Sequence, residues 1–247
     1  MIHRFQTINS TNTYAKLLAE KGAPDGTVVV AEQQSGGRGR MGRSFHSPAG
    51  KGLYLSMILR PTCKPEELMH LTCAAGVAAC QAIKKATGFL PGIKWTNDII
   101  AGKQKLGGIL TELGFRGSEL DYSVIGIGIN CNHCMEDFPS ELQGMAASLS
   151  MVSGNEIDIR QLETVLIDQL QSLAKQLTSH HAEIMDHYRK LCVTLGQKIS
   201  IHQGDRIRHG TAVDIDRDGG LIVKLPDGGT ETIAFGEVSV RGMYGYL

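Results

Sequence analysis

The chain has 247 residues, 42% of them hydrophobic, and its 25 Lys and Arg residues balance 25 Asp and Glu residues. This length and composition are typical of a globular protein with one large domain, or with a large and a small one, and they exclude a disordered chain. A formal net charge of +0 argues against a protein whose main task is nonspecific binding to nucleic acid or to an anionic membrane.

The sequence also indicates a compartment. Residues 1–10 contain no apolar core of the kind that a secretory signal requires, and the chain has no run of about 20 apolar residues that would span a membrane. We therefore expect a cytoplasmic protein whose six cysteines are thiols. Cys131 and Cys134 have the spacing of half a zinc site, but no second pair accompanies them, so ordinary thiols are favoured.

Strand and helix patterns alternate over the first 195 residues. Ser10 is an N-cap residue before an apolar stripe that ends at Gly22, which predicts a short helix. Further helices are predicted over residues 65–87, after the N-cap residue Asp158, and over residues 182–192. Runs of β-branched and apolar residues predict strands at 27–31, 53–59, 92–95, 106–113 and 122–129.

After Gly196 the pattern changes to short β runs. They are separated by the turn sequences Asp218-Gly-Gly and Pro226-Asp-Gly-Gly, which suit a small barrel of about 50 residues. We therefore predict two domains, residues 1–195 and residues 196–247.

The charge is unevenly distributed. Residues 33–60 contain five cations and no acid, a local net of +5, whereas residues 131–187 contain two cations and nine acids, a net of −7. The basic stretch also contains six glycines between Gly36 and Gly52. Glycine lets backbone N–H groups approach a ligand, and arginine donates to phosphate or carboxylate, so the stretch suits an anion. A solvated surface loop or an Arg-Gly element that binds RNA is the alternative.

Three other segments combine polar groups with small residues. Residues 94–98, Lys-Trp-Thr-Asn-Asp, follow a predicted strand, and a plain Asx-turn is the alternative there. Lys105 precedes two glycines at the start of a strand, although a lone lysine is usually solvated. Gly126 and Gly128 alternate with isoleucines, which would open a slot on one sheet face or allow close helix packing.

Taken in order, these segments resemble the motif series of the biotin protein ligases. The resemblance is carried by Ser10-Thr-Asn12, Gln34 before Gly37-Arg-Gly-Arg-Met-Gly-Arg43, Lys94-Trp-Thr-Asn-Asp98, Lys105-Leu-Gly-Gly-Ile-Leu110, Gly126-Ile-Gly-Ile-Asn130 and the late segment Gly236-Glu-Val-Ser-Val-Arg241. It implies an α/β (α+β) fold, with a mixed-sheet catalytic domain followed by an SH3-like barrel.

The resemblance also implies an activity. A ligase of this family uses ATP and Mg²⁺ to activate biotin as biotinyl-5′-AMP. It then transfers biotin to a lysine of a biotin carboxyl carrier protein, which belongs to acetyl-CoA carboxylase or another biotin-dependent carboxylase. Family members form homodimers through the catalytic sheet, so a homodimer is compatible with the resemblance. No nucleic acid and no membrane are expected as partners.

Residue roles follow from matching the motifs. The catalytic residues would be Lys105 and Arg40. Biotin would be bound by Ser10, Thr11, Asn12, Gln34, Arg38, Gly39, Arg40, Lys105, Gly108, Leu110, Gly126, Gly128 and Ile129. The residues expected to contact ATP are Arg38, Arg40, Arg43, Asn97, Asp98, Lys105 and Asn130, some of which are candidates for contact with Mg²⁺, and no protein metal ligand is assigned.

The sequence departs from the family in two motifs and at its start. Thr96 stands where the family usually has proline, which is expected to loosen the turn, and Gly107 stands where alanine is frequent. Because the first motif begins at residue 10, we expect no N-terminal winged-helix domain and no transcriptional regulation through one. Two rivals remain: a lipoate ligase, disfavoured by the polar residues 10–12, and a noncatalytic nucleic-acid-binding protein, disfavoured by the neutral charge and few aromatics.

Overall fold

The computed structural model describes residues 1–203 and 206–234 and the backbone of residues 239–242. Within these ranges the chain forms a seven-stranded mixed sheet and a five-stranded antiparallel sheet with five helices. The elements are β1 Ile2–Ile8, α1 Thr11–Glu20, β2 Val28–Gln34, β3 Gly52–Leu59, α2 Leu71–Thr87, β4 Gly92–Lys94, β5 Asp98–Ala101, β6 Gln104–Arg116, β7 Glu119–Asn130, α3 Leu149–Ser153, α4 Ile159–Gln176, α5 His181–Leu191, β8 Lys198–Gln203, β9 Arg206–Ile215, β10 Leu221–Lys224, β11 Thr230–Ile233 and β12 Ser239–Gly242.

The large sheet has the order β1-β2-β3-β7-β6-β5-β4, in which only β1 and β2 run parallel. Helices α2, α4 and α5 cover one face and form the main core with it. Helix α1 packs on the other face, where Ala15 and Ala19 contact Val29 and Ile58. Because α1 has only ten residues, it leaves part of this face open beside its N-terminus.

Local sequence explains several helix boundaries. The Ser10 hydroxyl caps α1 by accepting from the Thr13 N–H at 3.5 Å, and the Asp158 carboxylate caps α4 by accepting from the Gln161 N–H at 2.9 Å. Helix α2 ends at Gly88, whose φ of 76° is the left-handed conformation that favours glycine. The predicted helix 65–87 is divided, because a short 3₁₀ turn at Pro65–Leu68 is separated from α2 by non-helical His70.

The small sheet has the order β11-β10-β9-β8-β12. The Asp216 carboxylate closes the β9–β10 turn by accepting from the N–H groups of Asp218 at 2.9 Å and Gly220 at 2.7 Å. One of the contacts between this sheet and the rest of the chain is the hydrogen bond that Arg189 Nε donates to the Ile215 carbonyl at 2.9 Å. In the segment 236–241, residues 236–238 lie outside the described residues, and β12 pairs with β8.

The predicted mixed α/β fold with a small C-terminal β unit is confirmed. Sequence patterns missed β1, β5 and α3, which have seven, four and five residues. Strand β5 begins at Asp98, the last residue of the polar motif, where a turn was the expected alternative. No helix within residues 1–203 and 206–234 is long and apolar enough to cross a membrane.

Candidate active site

A cavity of about 750 Å³ lies beside the N-terminus of α1, within the size range of ligand pockets. Its walls come from α1, the loop after β2, the turn between β4 and β5, strands β6 and β7, and residues 138–146. Sixteen of the residues named from the sequence line it: Ser10, Thr11, Asn12, Gln34, Arg38, Gly39, Arg40, Arg43, Asn97, Asp98, Lys105, Gly108, Leu110, Gly126, Gly128 and Asn130.

The placement of Ile129 is a correction. Ile129 is fully buried in the core on the helix-covered face, whereas its neighbours Gly128 and Asn130 line the cavity. Successive side chains of a strand point to opposite faces, so the Ile129 side chain points away from the face that Gly128 and Asn130 share. The structure does not place Ile129 on the cavity wall, where it was expected, and Ile109 and Ile127 are among the residues that line the cavity although their side chains also pack in the core.

One end of the cavity is polar and tightly hydrogen-bonded. The Asn12 amide donates to the Leu110 carbonyl at 3.2 Å and to the Glu112 carboxylate at 3.0 Å, and its oxygen accepts from the Ser56 hydroxyl at 2.6 Å. The Thr11 N–H and hydroxyl both donate to the Gln34 amide oxygen, at 2.9 and 3.1 Å. These side chains are therefore held in place by the protein itself.

Glycines make room for this polar end. A Cβ atom on Gly126 would lie 1.9 Å from the Asn12 amide oxygen, and one on Gly128 would lie 2.6 Å from the Phe45 ring. Both distances are far below an ordinary van der Waals contact. Glycine is therefore required at these positions because the Asn12 and Phe45 side chains approach the backbone closely, and not because of an unusual φ. Phe45, directly after the arginine-rich loop, is a wall residue that sequence reasoning missed.

The other end of the cavity is charged. The Lys105 ammonium lies 2.6 Å from the Asp98 carboxylate, and the Arg40 guanidinium donates to the Asn97 amide oxygen at 3.2 Å. Burial lowers the pKa of Arg40 below its ordinary value, although the charge of Asp98 opposes this shift. One terminal nitrogen of Arg40 is buried with no hydrogen-bond partner in the described part of the chain. An anion placed there would accept from it.

The turn that carries Asn97 and Asp98 is held by hydrogen bonds to residues of the C-terminal part of the chain. The Trp95 N–H donates to the Thr194 hydroxyl and its indole N–H donates to the Gly219 carbonyl, each at 2.9 Å. The buried Tyr188 hydroxyl donates to the Thr96 carbonyl at 3.0 Å. The Trp95–Thr96 peptide bond is cis. Contacts from α5, from the following segment and from the small sheet therefore define the position of this turn.

Only part of the basic stretch faces the cavity. Arg38, Arg40 and Arg43 line it, but Lys51 pairs with Asp137 at 3.0 Å, and Arg60 binds Asp121 at 2.9 Å and carbonyls at the end of α1. The idea that the whole stretch binds an anion is thus narrowed to its arginine-rich loop. Lys51 and Arg60 pair with acidic side chains elsewhere in the fold instead.

Several further wall residues gave no signal in the sequence. His46, Phe138, Leu142, Met145 and Ala146 line the cavity, and none stands in a recognisable motif. Cys131 is buried and Cys134 is exposed, so the two cysteines with metal-like spacing differ in environment. Among the described residues, no group of three or more His, Cys, Asp or Glu side chains is arranged to hold a metal ion.

The chain folds into a mixed sheet with helices on both faces and a small β unit. Its cavity has a polar end and a cationic end, so it is an α/β protein with a cavity suited to an anionic ligand. The chain belongs to the biotin/lipoate A/B protein ligase family, whose model matches residues 4–130. The model of the biotin protein ligase C-terminal domain matches residues 194–241.

Relatives and solved structures agree with this assignment. The chain is 36% identical over 222 residues to the bifunctional ligase/repressor BirA of Bacillus subtilis, covering 90% of this chain and 68% of the relative. It is 29% identical to the biotin–[acetyl-CoA-carboxylase] ligase of Paracoccus denitrificans, and the match covers 95% of this chain and 98% of the relative. The biotin protein ligase of Aquifex aeolicus in complex with biotin and ATP superposes with a TM-score of 0.83 over 98% of each chain, at 27% identity.

Proposed function

We propose that this chain is an ATP-dependent ligase that activates biotin and attaches it to a carrier protein. In the first step a biotin carboxylate oxygen attacks the α-phosphorus of ATP, the bond to the β-phosphate oxygen breaks, and pyrophosphate leaves. In the second step a lysine amine of the carrier attacks the acyl carbon of biotinyl-5′-AMP, loses a proton and releases AMP. The observation that carries this proposal is a single cavity with a preformed polar end and a cationic end in a member of this ligase family.

The cationic end suits the first step. Two unit negative charges about 4 Å apart repel by roughly 4 kcal/mol at an effective dielectric constant near 20. We assign Lys105 and Arg40 to offset this repulsion and to stabilise the charge that develops on the transferred phosphoryl group. The buried, unpartnered nitrogen of Arg40 supports its assignment. We place Arg38 and Gly39, on the same loop, against the adenylate.

The polar end suits a cyclic urea. A ureido ring has one carbonyl acceptor and two N–H donors, which hydroxyl and amide groups can satisfy. Ser10, Thr11, Asn12 and Gln34 line this end and are at most half-exposed. The apolar part of biotin would lie along the slot that Gly108, Leu110, Gly126 and Gly128 form.

We assign the nucleotide to the remaining wall. Arg43 is exposed at the cavity rim, and Asn130 is anchored by its amide donor on the Ala147 carbonyl at 3.1 Å. Asn97 and Asp98 offer neighbouring amide and carboxylate oxygens, the donor type that Mg²⁺ prefers beside phosphate oxygens. Asp98 and Asn97 would hold a magnesium ion together with the triphosphate, and the ion would neutralise phosphate charge.

The acceptor and the setting are part of the same proposal. The acceptor would be the carrier domain of acetyl-CoA carboxylase or of another biotin-dependent carboxylase, as the name of the Paracoccus relative suggests. We place the enzyme in the cytoplasm, where ATP and this acceptor occur, and allow for a homodimer. We also propose that residues 1–195 and 196–247 are its two domains.

Exchange of labelled pyrophosphate into ATP tests the function. Exchange that requires biotin is the expected result, since adenylate formation is reversible. Exchange that requires lipoate would instead support a lipoate ligase, which shares the family name. No exchange with either acid would contradict both ligase functions.

A further inference from the structure

Glu112 on β6 lies behind the polar end of the cavity and bonds to three side chains. One carboxylate oxygen accepts from the Asn12 amide at 3.0 Å and from Arg38 at 3.1 Å, and the other accepts from Lys16 at 3.0 Å. The Glu112 side chain is 16% exposed, and it does not line the cavity. It therefore acts on a ligand only through other residues.

The partners of Asn12 determine which way its amide points. A carboxylate and a backbone carbonyl can only accept hydrogen bonds, so the group that faces Glu112 and the Leu110 carbonyl must be the NH₂. Both N–H bonds of Asn12 are then used inside the protein. The amide oxygen lies on the Gly126 and Ser56 side and retains a second lone pair. Asn12 can therefore meet a ligand in the cavity only as an acceptor.

We propose that Glu112 is a positioning residue that selects for a ligand with N–H donors by fixing the Asn12 amide oxygen toward the cavity. This inference rests on the proposed function, in which that ligand is the ureido ring of biotin. A dithiolane ring has no N–H to donate, so a fixed acceptor favours biotin over lipoate. Without Glu112, one Asn12 N–H loses its partner and the amide can turn to present a donor.

Charge alone does not account for the arrangement. Burial favours the neutral acid at Glu112, but the hydrogen bonds from Asn12 and Lys16 and the charge of Arg38 outweigh it and lower the pKa of Glu112. The Lys16 and Arg38 side chains are 33% and 44% exposed, and ion pairs in such positions contribute little. The contact with buried Asn12 is the one whose loss leaves a polar group unsatisfied.

The test compares Glu112→Ala and Glu112→Gln with wild type in biotin-dependent pyrophosphate exchange. Glu112→Ala is expected to raise KM for biotin about tenfold or more, as expected for an unsatisfied buried polar group, with kcat within about twofold of wild type. In Glu112→Gln an amide oxygen still accepts from Asn12, so KM for biotin should return to within about threefold of wild type. Glu119→Ala, an exposed carboxylate on the neighbouring strand β7, is the matched control.

Each outcome decides the proposal. An unchanged KM in Glu112→Ala overturns it, and so does a glutamine variant as impaired as the alanine variant, because the effect would then come from charge. The glutamine variant preserves the volume of the Glu112 side chain, so it can be measured even if the alanine variant folds poorly. For Glu112→Gln, a fall in the ratio of biotin-dependent to lipoate-dependent exchange also overturns the proposal. Failure of wild type to exchange with biotin would refute the proposed function instead.

Discussion

The two ends of the cavity differ in how far the protein satisfies its own polar groups. At the polar end, both Asn12 N–H bonds, the Thr11 hydroxyl and the Gln34 amide have partners within the chain. At the charged end, Arg40 makes one hydrogen bond to Asn97 and keeps a buried nitrogen without a partner in the described residues. The side chains of the polar end are thus fixed in position before a ligand binds, whereas the charged end has an N–H donor that an anion can use.

Removing a cation from the charged end should have the largest effect. Lys105→Ala and Arg40→Ala are each expected to reduce biotin-dependent pyrophosphate exchange by about 100-fold or more, because each removes preorganised positive charge from the reacting groups. Initial rates at saturating biotin and ATP measure this. Lys103→Ala, an exposed lysine two residues away, should leave the rate unchanged. If both variants retained rates near wild type, the catalytic assignment would be wrong.

Filling the slot at the polar end should have a smaller effect than removing a cation, and it should change the affinity for biotin rather than the rate. A Cβ on Gly126 would lie 1.9 Å from the Asn12 oxygen, so Gly126→Ala must displace Asn12. We expect KM for biotin to rise about tenfold, the scale of overpacking by one methyl group, while KM for ATP stays within about twofold. Gly229→Ala, where the nearest atom is on the flexible Asp227 side chain at 3.2 Å, is the control. A selective rise in KM for ATP would contradict the division between the two ends.

The smallest expected effect concerns a buried histidine behind one wall of the cavity. The buried His133 ring stacks on Phe138, which lines the cavity, at 4.8 Å, and burial lowers the pKa of His133 to about 4, with Asp137 opposing. Between pH about 6.5 and about 4 the unfolded chain therefore binds more protons at this residue, so the free energy of unfolding falls as pH falls through this range.

Thermal melts from pH 7 to pH 4.5 test this dependence. The phenylalanine of His133→Phe cannot be protonated, so the melting temperature of this variant should fall less over this pH range than that of wild type. His209→Phe, at an exposed position, should lose as much as wild type. Equal losses in all three proteins would show that His133 does not contribute to the pH dependence.

Local signals were sufficient for much of the fold and for most of the cavity. The Ser10 and Asp158 caps and the β-branched runs depend on neighbours in sequence, so they were predictable. Strand β1 has no fully buried residue, and β5 has only four residues, the first of which belongs to the polar motif, so neither stood out in the sequence. The cluster of cations was recognisable in the sequence, but the partner of each cation was not. Lys51 and Arg60, for example, pair with residues away from the cavity.

Strand register decided what the sequence left open. A shift of one residue moves every side chain of a strand to the other face, and register is set by pairing with neighbouring strands. The pairing of β7 with β3 and β6 places Gly126, Gly128 and Asn130 on the cavity and Ile129 in the core. The alternation of glycine and isoleucine was visible in the sequence, but which face of the strand would border the cavity was not.

The sequence by itself determined the order of the motifs, the caps, the clustered arginines and glycines, and hence the family. Only the tertiary structure decided how these groups work together. Glu112 meets Asn12 across 100 positions of sequence, and the Trp95 indole meets the Gly219 carbonyl across 124. Such contacts carry no local pattern, because they depend on the packing of strands and helices that are distant along the chain.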